Sequence, residues 1–295
     1  MNAELSLSIS TTQKVRCYFQ LLKFRLSALV VFSAAITYLL GHQGAFEWLH
    51  FALFIIGGFL LTGAANIINQ IKEKDLDKLM MRTQDRPLPT GRLTVGEATT
   101  FGTVIGVVGL GVMAWYVNPV AAALSLLSLV LYGFVYTPMK RVSPVAVLIG
   151  AVPGALPPMI GWAAATGVVG VEALVLFGIQ FIWQFPHFWA IAWVADEDYR
   201  RAGFKLLPSG GGRDLKTAFQ IMIYTLMLLP MGLLPALFGI TGIASATVAM
   251  VCGTLFLAQT FQLMRDNSRR AALRIMFGSF FYLPIVQIAF LLDKI

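Results

Sequence analysis

Residues 49–68 read LHFALFIIGGFLLTGAANII, and residues 69–77 read NQIKEKDLD. The first segment has no charged side chain over 20 residues, the length that a helix needs to cross the hydrocarbon core of a membrane. In the second segment, Asn69, Glu73 and Asp77 are four residues apart and therefore share one helical face. Together the segments predict a membrane-crossing helix that continues beyond the membrane with oxygen-bearing side chains on one side.

Apolar stretches of similar length recur along the whole chain. Of its 295 residues, 58% are hydrophobic and 12% are charged, whereas about a quarter of the residues of a soluble domain are charged. We therefore expect an all-α integral membrane protein, with residues 1–295 as a single membrane domain and residues 1–20 as its cytoplasmic tail. The nine predicted transmembrane helices are 24–42, 49–68, 98–117, 119–137, 145–165, 171–193, 217–239, 243–265 and 271–292.

The basic residues fall on one side of this predicted bundle. With these spans, 21 of the 22 Lys and Arg residues lie on one face, which the positive-inside rule assigns to the cytoplasm. The two long connections, 69–97 and 194–216, lie on the same face. The net charge of +8 therefore reflects orientation in a lipid bilayer and does not indicate a nucleic-acid partner.

The first long connection contains residues suited to a metal ion and to phosphate. Asn69, Glu73 and Asp77 offer an amide oxygen and carboxylates, the ligands of hard cations such as Mg²⁺, and no Cys or His lies nearby to suggest zinc. The guanidinium groups of Arg82 and Arg86 match phosphate oxygens. The pattern favours a diphosphate site with Mg²⁺. The alternative is a solvated helix end with ordinary Glu–Lys and Asp–Arg pairs.

A second acidic cluster, Asp196, Glu197 and Asp198, directly follows the sixth span. Three consecutive residues cannot all face one way on a helix, so we expect one or two of them to reach a metal ion, with Asp196 and Asp198 as the candidates. Lys140 and Arg141 follow the fourth span. They are either phosphate contacts or simple positive-inside anchors.

His187 lies in the apolar segment 183–189, WQFPHFW, about ten residues before the second acidic cluster. An ionisable residue at membrane depth is usually functional. His187 is an iron ligand, a base, or a core histidine that a neighbouring group satisfies.

Two motifs point to a known family. The chain resembles the UbiA-type intramembrane prenyltransferases in the run Asn69-x-x-x-Glu73-x-x-Leu76-Asp77-x-x-Met80-x-Arg82-Thr83-x-x-Arg86-x-x-x-x-Gly91. It resembles the protoheme IX farnesyltransferase, or heme O synthase, branch of that family in Gln184-Phe-Pro-His187-Phe-Trp followed by Asp198-Tyr199-x-x-x-Gly203. The resemblance extends from about residue 20 to the end of the chain.

The resemblance implies a nine-helix bundle around a central cavity that two cytoplasmic loops cap. It implies transfer of a farnesyl group from farnesyl diphosphate to a vinyl group of heme B, with addition of water, to give heme O and diphosphate. By the same resemblance, Asn69, Glu73 and Asp77 hold Mg²⁺, Arg82 and Arg86 bind the diphosphate, and His187 orients heme. A heme-modifying or oxidase-assembly protein is a further expected partner, and the bacterial inner membrane is the expected location.

The second loop departs from the family pattern. Many relatives carry Asp-x-x-x-Asp there, but counting back from Gly203 places Ala195 and Tyr199 at those positions. This departure leaves the second metal contact open and marks the heme branch. Two alternatives to heme farnesylation stay open. One is prenyl transfer to a quinone precursor or a chlorin, for which an iron-directed histidine is unnecessary. The other is a non-enzymatic membrane carrier, although carriers concentrate polar groups near the bilayer centre and this chain has them at one interface.

Overall fold

The structure, a computed structural model, describes residues 10–209 and 212–295. Within these residues the regular structure is helical, apart from one antiparallel bridge between Thr241 and Lys294. Nine described helices are long and apolar enough to cross a membrane: α2 (Phe24–Gly41), α3 (Trp48–Asp77), α4 (Val95–Val117), α5 (Pro119–Met139), α6 (Ala146–Thr166), α7 (Val171–Val194), α9 (Leu215–Leu237), α10 (Ile243–Asp266) and α11 (Arg269–Leu292). The predicted all-α bundle and its nine spans are confirmed.

Two shorter helices complete the described elements. α1 (Thr11–Leu21) occupies the second half of the predicted cytoplasmic tail, and residues 1–9 of that tail lie outside the described residues. α8 (Asp196–Arg201) follows α7 in the second long connection. That α1 and the loops lie on the cytoplasmic side stays a prediction.

Polar caps fix where several helices begin. A side-chain oxygen at each cap accepts a hydrogen bond from a backbone N–H three residues further on, which satisfies a donor that has no partner inside the helix. These caps are Ser10, Thr94, Asn118, Asp214 and Ser268. These caps therefore define where five of the described helices begin.

α3 is longer than the membrane is thick, so its last residues extend beyond the membrane. These residues form the candidate site. Its 30 residues span about 45 Å, against a hydrocarbon core of about 30 Å. The helix runs without a break to Asp77, nine residues beyond the predicted end of the apolar span at residue 68. The predicted continuation with Asn69, Glu73 and Asp77 on one face is confirmed.

The helices pack side by side, and α6 is the most enclosed of them. α2 packs against α6 and α3 against α4, while α11 contacts both α2 and α7. Large apolar side chains such as Val107, Trp115 and Leu255 cover the outer surface, with more than half of each exposed. An outer surface of this kind suits lipid and not water.

The end of α5 departs from regular α-helical geometry. Residues Leu131–Tyr136 form a π-helical turn directly before Thr137 and Lys140. A turn of this kind inserts an extra residue into the helix and is frequent at functional sites. Gly133 permits close contact here, because a Cβ atom at this position would lie 2.9 Å from the Ile68 side chain of α3.

Candidate active site

The three oxygen-bearing residues of α3 are buried, although they lie beyond the apolar part of the helix. Asn69, Glu73 and Asp77 are at most 4% exposed. Burial of a carboxylate is unfavourable unless the charge is paired. Each of these side chains must therefore have a compensating partner.

Each partner is a basic residue from a different part of the chain. The three pairs are Lys23 Nζ with Asn69 Oδ1 at 3.2 Å, Lys140 Nζ with Glu73 Oε1 at 2.8 Å, and Arg86 Nη1 with Asp77 Oδ2 at 2.8 Å. Three basic side chains thus face two carboxylates and one amide. Lys140 and Arg86 balance the two carboxylates, and Lys23 adds further positive charge when it is protonated, which suits an anionic substrate.

Lys23 was not predicted as a site residue, since the sequence indicated only a positive-inside anchor. It lies between α1 and α2 with a left-handed backbone, φ 47°. Burial, together with repulsion from Arg86 and Lys140, lowers the pKa of Lys23 to about 7. No local sequence signal distinguishes it from the other basic residues near the first span.

Lys140 reaches the site from the end of the π-helical turn. Burial disfavours its charged form, but the adjacent Glu73 carboxylate outweighs that effect, and the pKa of Lys140 is raised. Its ammonium also lies 4.8 Å from the centre of the Tyr136 ring, a cation–π contact. Thr137 accepts a hydrogen bond from Asn69 Nδ2 at 3.2 Å and so joins α5 to the same face of α3. The structure thus places Lys140 inside the cluster, whereas Arg141 is exposed.

The donor set fits Mg²⁺. Asp77 Oδ1 is buried and has no hydrogen-bond partner among the residues that the structure describes, so one oxygen of this carboxylate is available to a cation. Within the described ranges, no three His, Cys, Asp or Glu side chains come together as a complete metal site. Mg²⁺ commonly binds through one or two carboxylates and completes its shell with water and substrate phosphate oxygens. Asn69, Glu73 and Asp77 are thus suitable ligands if the substrate supplies the rest.

The two long connections contact each other through Asp198. Its carboxylate accepts hydrogen bonds from the backbone N–H groups of Met81 and Arg82, at 3.2 and 3.4 Å. It also accepts from Arg201 Nη2 at 2.7 Å. Asp198, predicted as a metal ligand, is therefore occupied in fixing the segment that precedes Arg86.

Apolar packing reinforces this contact between the connections. Met80 of the first connection is buried against Ala202 and Phe204 of the second. The guanidinium of Arg82 lies 5.9 Å from the centre of the Tyr199 ring, and its side chain is otherwise exposed. The second connection thus positions Arg82 and the backbone before it, a relationship that the sequence motif does not reveal.

Asp196 pairs with two arginines of the second long connection. It is buried and pairs with Arg200 Nε at 3.0 Å and with Arg213 Nε at 3.3 Å. It lines a cavity of about 520 Å³ together with Tyr199 and Ser209. For Asp196 to bind a metal ion, it would have to exchange these arginine partners.

His187 is held by α11 and not by the α3 cluster. Its Nδ1 lies 2.8 Å from Ser279 Oγ, and this hydroxyl donates to the Met276 carbonyl at 2.6 Å. Because the hydroxyl hydrogen is directed at that carbonyl, Nδ1 is the donor of the first bond, and in the neutral ring this tautomer has its lone pair on Nε2. The ring stacks on Trp183 at 4.3 Å and meets Phe280 edge-on at 5.1 Å. A neutral imidazole with a fixed tautomer is the form that binds a metal.

A family model matches most of the chain. Residues 29–283 match the UbiA prenyltransferase family. The chain therefore belongs to the UbiA prenyltransferase family.

Two similar proteins belong to one branch of this family. The chain is 58% identical over 280 residues to the protoheme IX farnesyltransferase of Cytophaga hutchinsonii, an alignment that covers 95% of this chain and 98% of that protein. It is 42% identical over 298 residues to the protoheme IX farnesyltransferase of Flavobacterium psychrophilum, with 97% and 98% covered. The predicted resemblance to this branch is confirmed.

Solved structures share the fold. A digeranylgeranylglyceryl phosphate synthase structure has a TM-score of 0.79 at 19% identity, covering 95% of this chain and 98% of that one. A UbiA homologue from Archaeoglobus fulgidus, bound to GPP and Mg²⁺, has a TM-score of 0.68 at 17% identity, covering 93% and 99%. At these identities the likeness concerns the fold alone.

Proposed function

We propose that this protein transfers a farnesyl group from farnesyl diphosphate to a vinyl group of heme B, with addition of water, giving heme O and diphosphate. The observation that carries the proposal is the 58% identity, over nearly the full length of both chains, to a protoheme IX farnesyltransferase. The charged cluster at the end of α3 supports the diphosphate half of the reaction, and His187 supports the heme half.

On the diphosphate side, Arg86 and Lys140 hold the phosphate oxygens, and Arg82 contributes from the exposed rim. Asn69, Glu73 and Asp77 would hold Mg²⁺. When bound there, Mg²⁺ neutralises charge on the diphosphate and so favours its departure from the farnesyl carbon. The contact between Asp198 and the backbone at Met81 keeps the arginine segment in place over the substrate.

On the acceptor side, His187 binds or faces the heme iron through Nε2. The neighbouring rings of Trp183, Phe188 and Phe280 offer the flat apolar surfaces that a porphyrin needs. The buried helices around the site exclude bulk water, so the allylic cation meets the vinyl group before water can capture it. The proposed location is the bacterial inner membrane with the long connections on the cytoplasmic side, which the distribution of Lys and Arg supports.

The test is a turnover assay on protein purified in detergent, with heme B, farnesyl diphosphate and Mg²⁺, followed by mass spectrometry of the porphyrin. The expected product is heme that has gained one farnesyl group and one water. An unmodified heme, together with prenylation of a phenolic acceptor in a parallel assay, would overturn the proposed acceptor and return His187 to a structural role. No transfer to any acceptor would overturn the reaction itself.

A further inference from the structure

We infer that Lys23 is a further residue of the active site: its ammonium holds Asn69 in the substrate-free protein and shifts to the diphosphate when Mg²⁺ takes over the amide oxygen. The inference rests on the proposed function, since it assigns Lys23 a role toward the same metal ion and diphosphate.

The backbone of Lys23 has a left-handed conformation. A residue other than glycine rarely adopts φ near 47°, because Cβ then lies too close to the following carbonyl oxygen. Such a conformation persists where the surroundings fix it. Here it redirects the chain between α1 and α2, so that the lysine side chain reaches Asn69 of α3.

Side chains of α3 bind the junction between α1 and α2 that contains Lys23. Gln70 Nε2 donates to the Leu21 carbonyl at 2.7 Å. Asn66 Nδ2 donates to Ser27 Oγ at 3.1 Å, and this hydroxyl donates to the Leu22 carbonyl at 2.7 Å. The junction that carries Lys23 is thus fastened on both sides by amides of the helix that bears the proposed metal ligands. A lysine serving only as a membrane anchor needs no such support.

The charges of the cluster also link the metal ion to the diphosphate. A metal ion entering alone would bring two positive charges next to Lys140 and Arg86, whose charges the two carboxylates already balance, and repulsion is strong where water is largely excluded. A diphosphate entering with the metal ion supplies the negative charge that Lys23, Lys140 and Arg86 need once they leave their oxygen partners. The metal ion and the diphosphate should therefore bind cooperatively, and Lys23 should be one source of that cooperativity.

This role of Lys23 predicts that the Lys23→Met substitution changes two binding affinities in opposite directions. In Lys23→Met, one positive charge is gone and the Asn69 oxygen is open, so a divalent cation alone should bind more tightly. The cation together with diphosphate should bind more weakly, because one phosphate contact is missing. A purely structural lysine would instead weaken both, since its loss would distort the site.

The experiment uses the full chain in detergent and inorganic diphosphate as the probe. Binding of Mn²⁺, used in place of Mg²⁺, is followed by the loss of the free-ion electron paramagnetic resonance signal, with and without diphosphate. We expect diphosphate to tighten Mn²⁺ binding in the wild type, and Lys23→Met to reduce this enhancement about 10-fold. Arg25→Met is the matched control, because it removes an exposed positive charge two residues away and should leave the enhancement unchanged.

A second variant tests whether the effect of Lys23→Met comes from misfolding. Lys23→Gly removes the ammonium but favours the left-handed backbone, so its thermal stability should be kept better than that of Lys23→Met. Both variants should show the reduced enhancement of Mn²⁺ binding by diphosphate. An enhancement equal to that of the wild type in either variant, or a proportional loss of both binding constants, overturns the role of Lys23. A wild type that binds neither the metal ion nor metal with diphosphate overturns the proposed function itself, and the two failures are thereby distinguished.

Discussion

Arg86 donates to one oxygen of Asp77 at 2.8 Å, while the other oxygen of this fully buried carboxylate has no hydrogen-bond partner in the described part of the chain. A buried acceptor without a partner costs about 1–3 kcal/mol. An arrangement of this kind is expected where a ligand completes the coordination. The half-paired carboxylate therefore distinguishes Asp77 from the other acids of the first connection as the leading candidate for a metal ligand.

Asp77→Asn should reduce farnesyl transfer on the order of 100-fold, because it removes the charge at the metal ion while preserving the shape of the side chain. Activity is measured as farnesylated heme per unit time at saturating Mg²⁺. The matched control is Asp75→Asn, since Asp75 is exposed and pairs only with Lys78. Equal rates for the two variants would show that Asp77 has no special role in the reaction.

Much of the architecture could be predicted from the sequence, because two physical patterns are local. Apolar length determines which segments cross the membrane, and the four-residue spacing from Asn69 to Asp77 determines a shared face. Both predictions are confirmed by α3. The pairing of Glu73 with Lys140 joins residues 67 positions apart and was not predicted, because the sequence indicated only a phosphate contact or a positive-inside anchor at Lys140.

The rest could not be predicted, because it depends on contacts between distant segments. The left-handed backbone of Lys23 carries no sequence signature, since lysine has no preference for it. The carboxylate of Asp198 suggested a metal ligand, but its oxygens accept from the backbone of Met81 and Arg82. Composition alone cannot distinguish these two uses of one aspartate.

Asp198→Ala should loosen the contact between the two long connections. We expect the KM for farnesyl diphosphate to rise about 10-fold, equivalent to about 1.4 kcal/mol, with a smaller change in kcat. Amide hydrogen exchange should become faster in residues 78–86. Glu197→Ala is the control, because the Glu197 side chain is 82% exposed and its arginine partner lies at 3.8 Å. If exchange in residues 78–86 stays as slow as in the wild type, Asp198 does not hold the connections together.

Ser279→Ala should weaken heme binding without affecting the diphosphate site. Loss of the hydrogen bond that orients His187 should reduce the free energy of heme binding by about 1 kcal/mol. Heme affinity should therefore fall about 5-fold, and the Soret band of bound heme should shift. Ser125→Ala is the control, because this buried serine bonds only to a carbonyl of its own helix. A heme spectrum and affinity identical to those of the wild type would exclude a link between Ser279 and heme.

The contact between α2 and α6 should tolerate no side chain at Gly161. A Cβ atom there would lie 2.0 Å from the Ala34 carbonyl oxygen and 2.3 Å from Thr37 Oγ1, and a backbone oxygen within a helix cannot move aside. Gly161→Ala should therefore destabilise the protein by about 1–3 kcal/mol.

Gly58→Ala is the matched control, because this glycine of α3 also faces α2 and the nearest neighbour of an added Cβ atom would be 3.9 Å away. There, alanine should stabilise the helix by about 0.5–1 kcal/mol. Thermal unfolding of both variants in the same detergent measures the difference, and the expected order of melting temperatures is Gly58→Ala, wild type, Gly161→Ala. A Gly161→Ala melting temperature at or above the wild-type value would mean that α2 and α6 are farther apart than described.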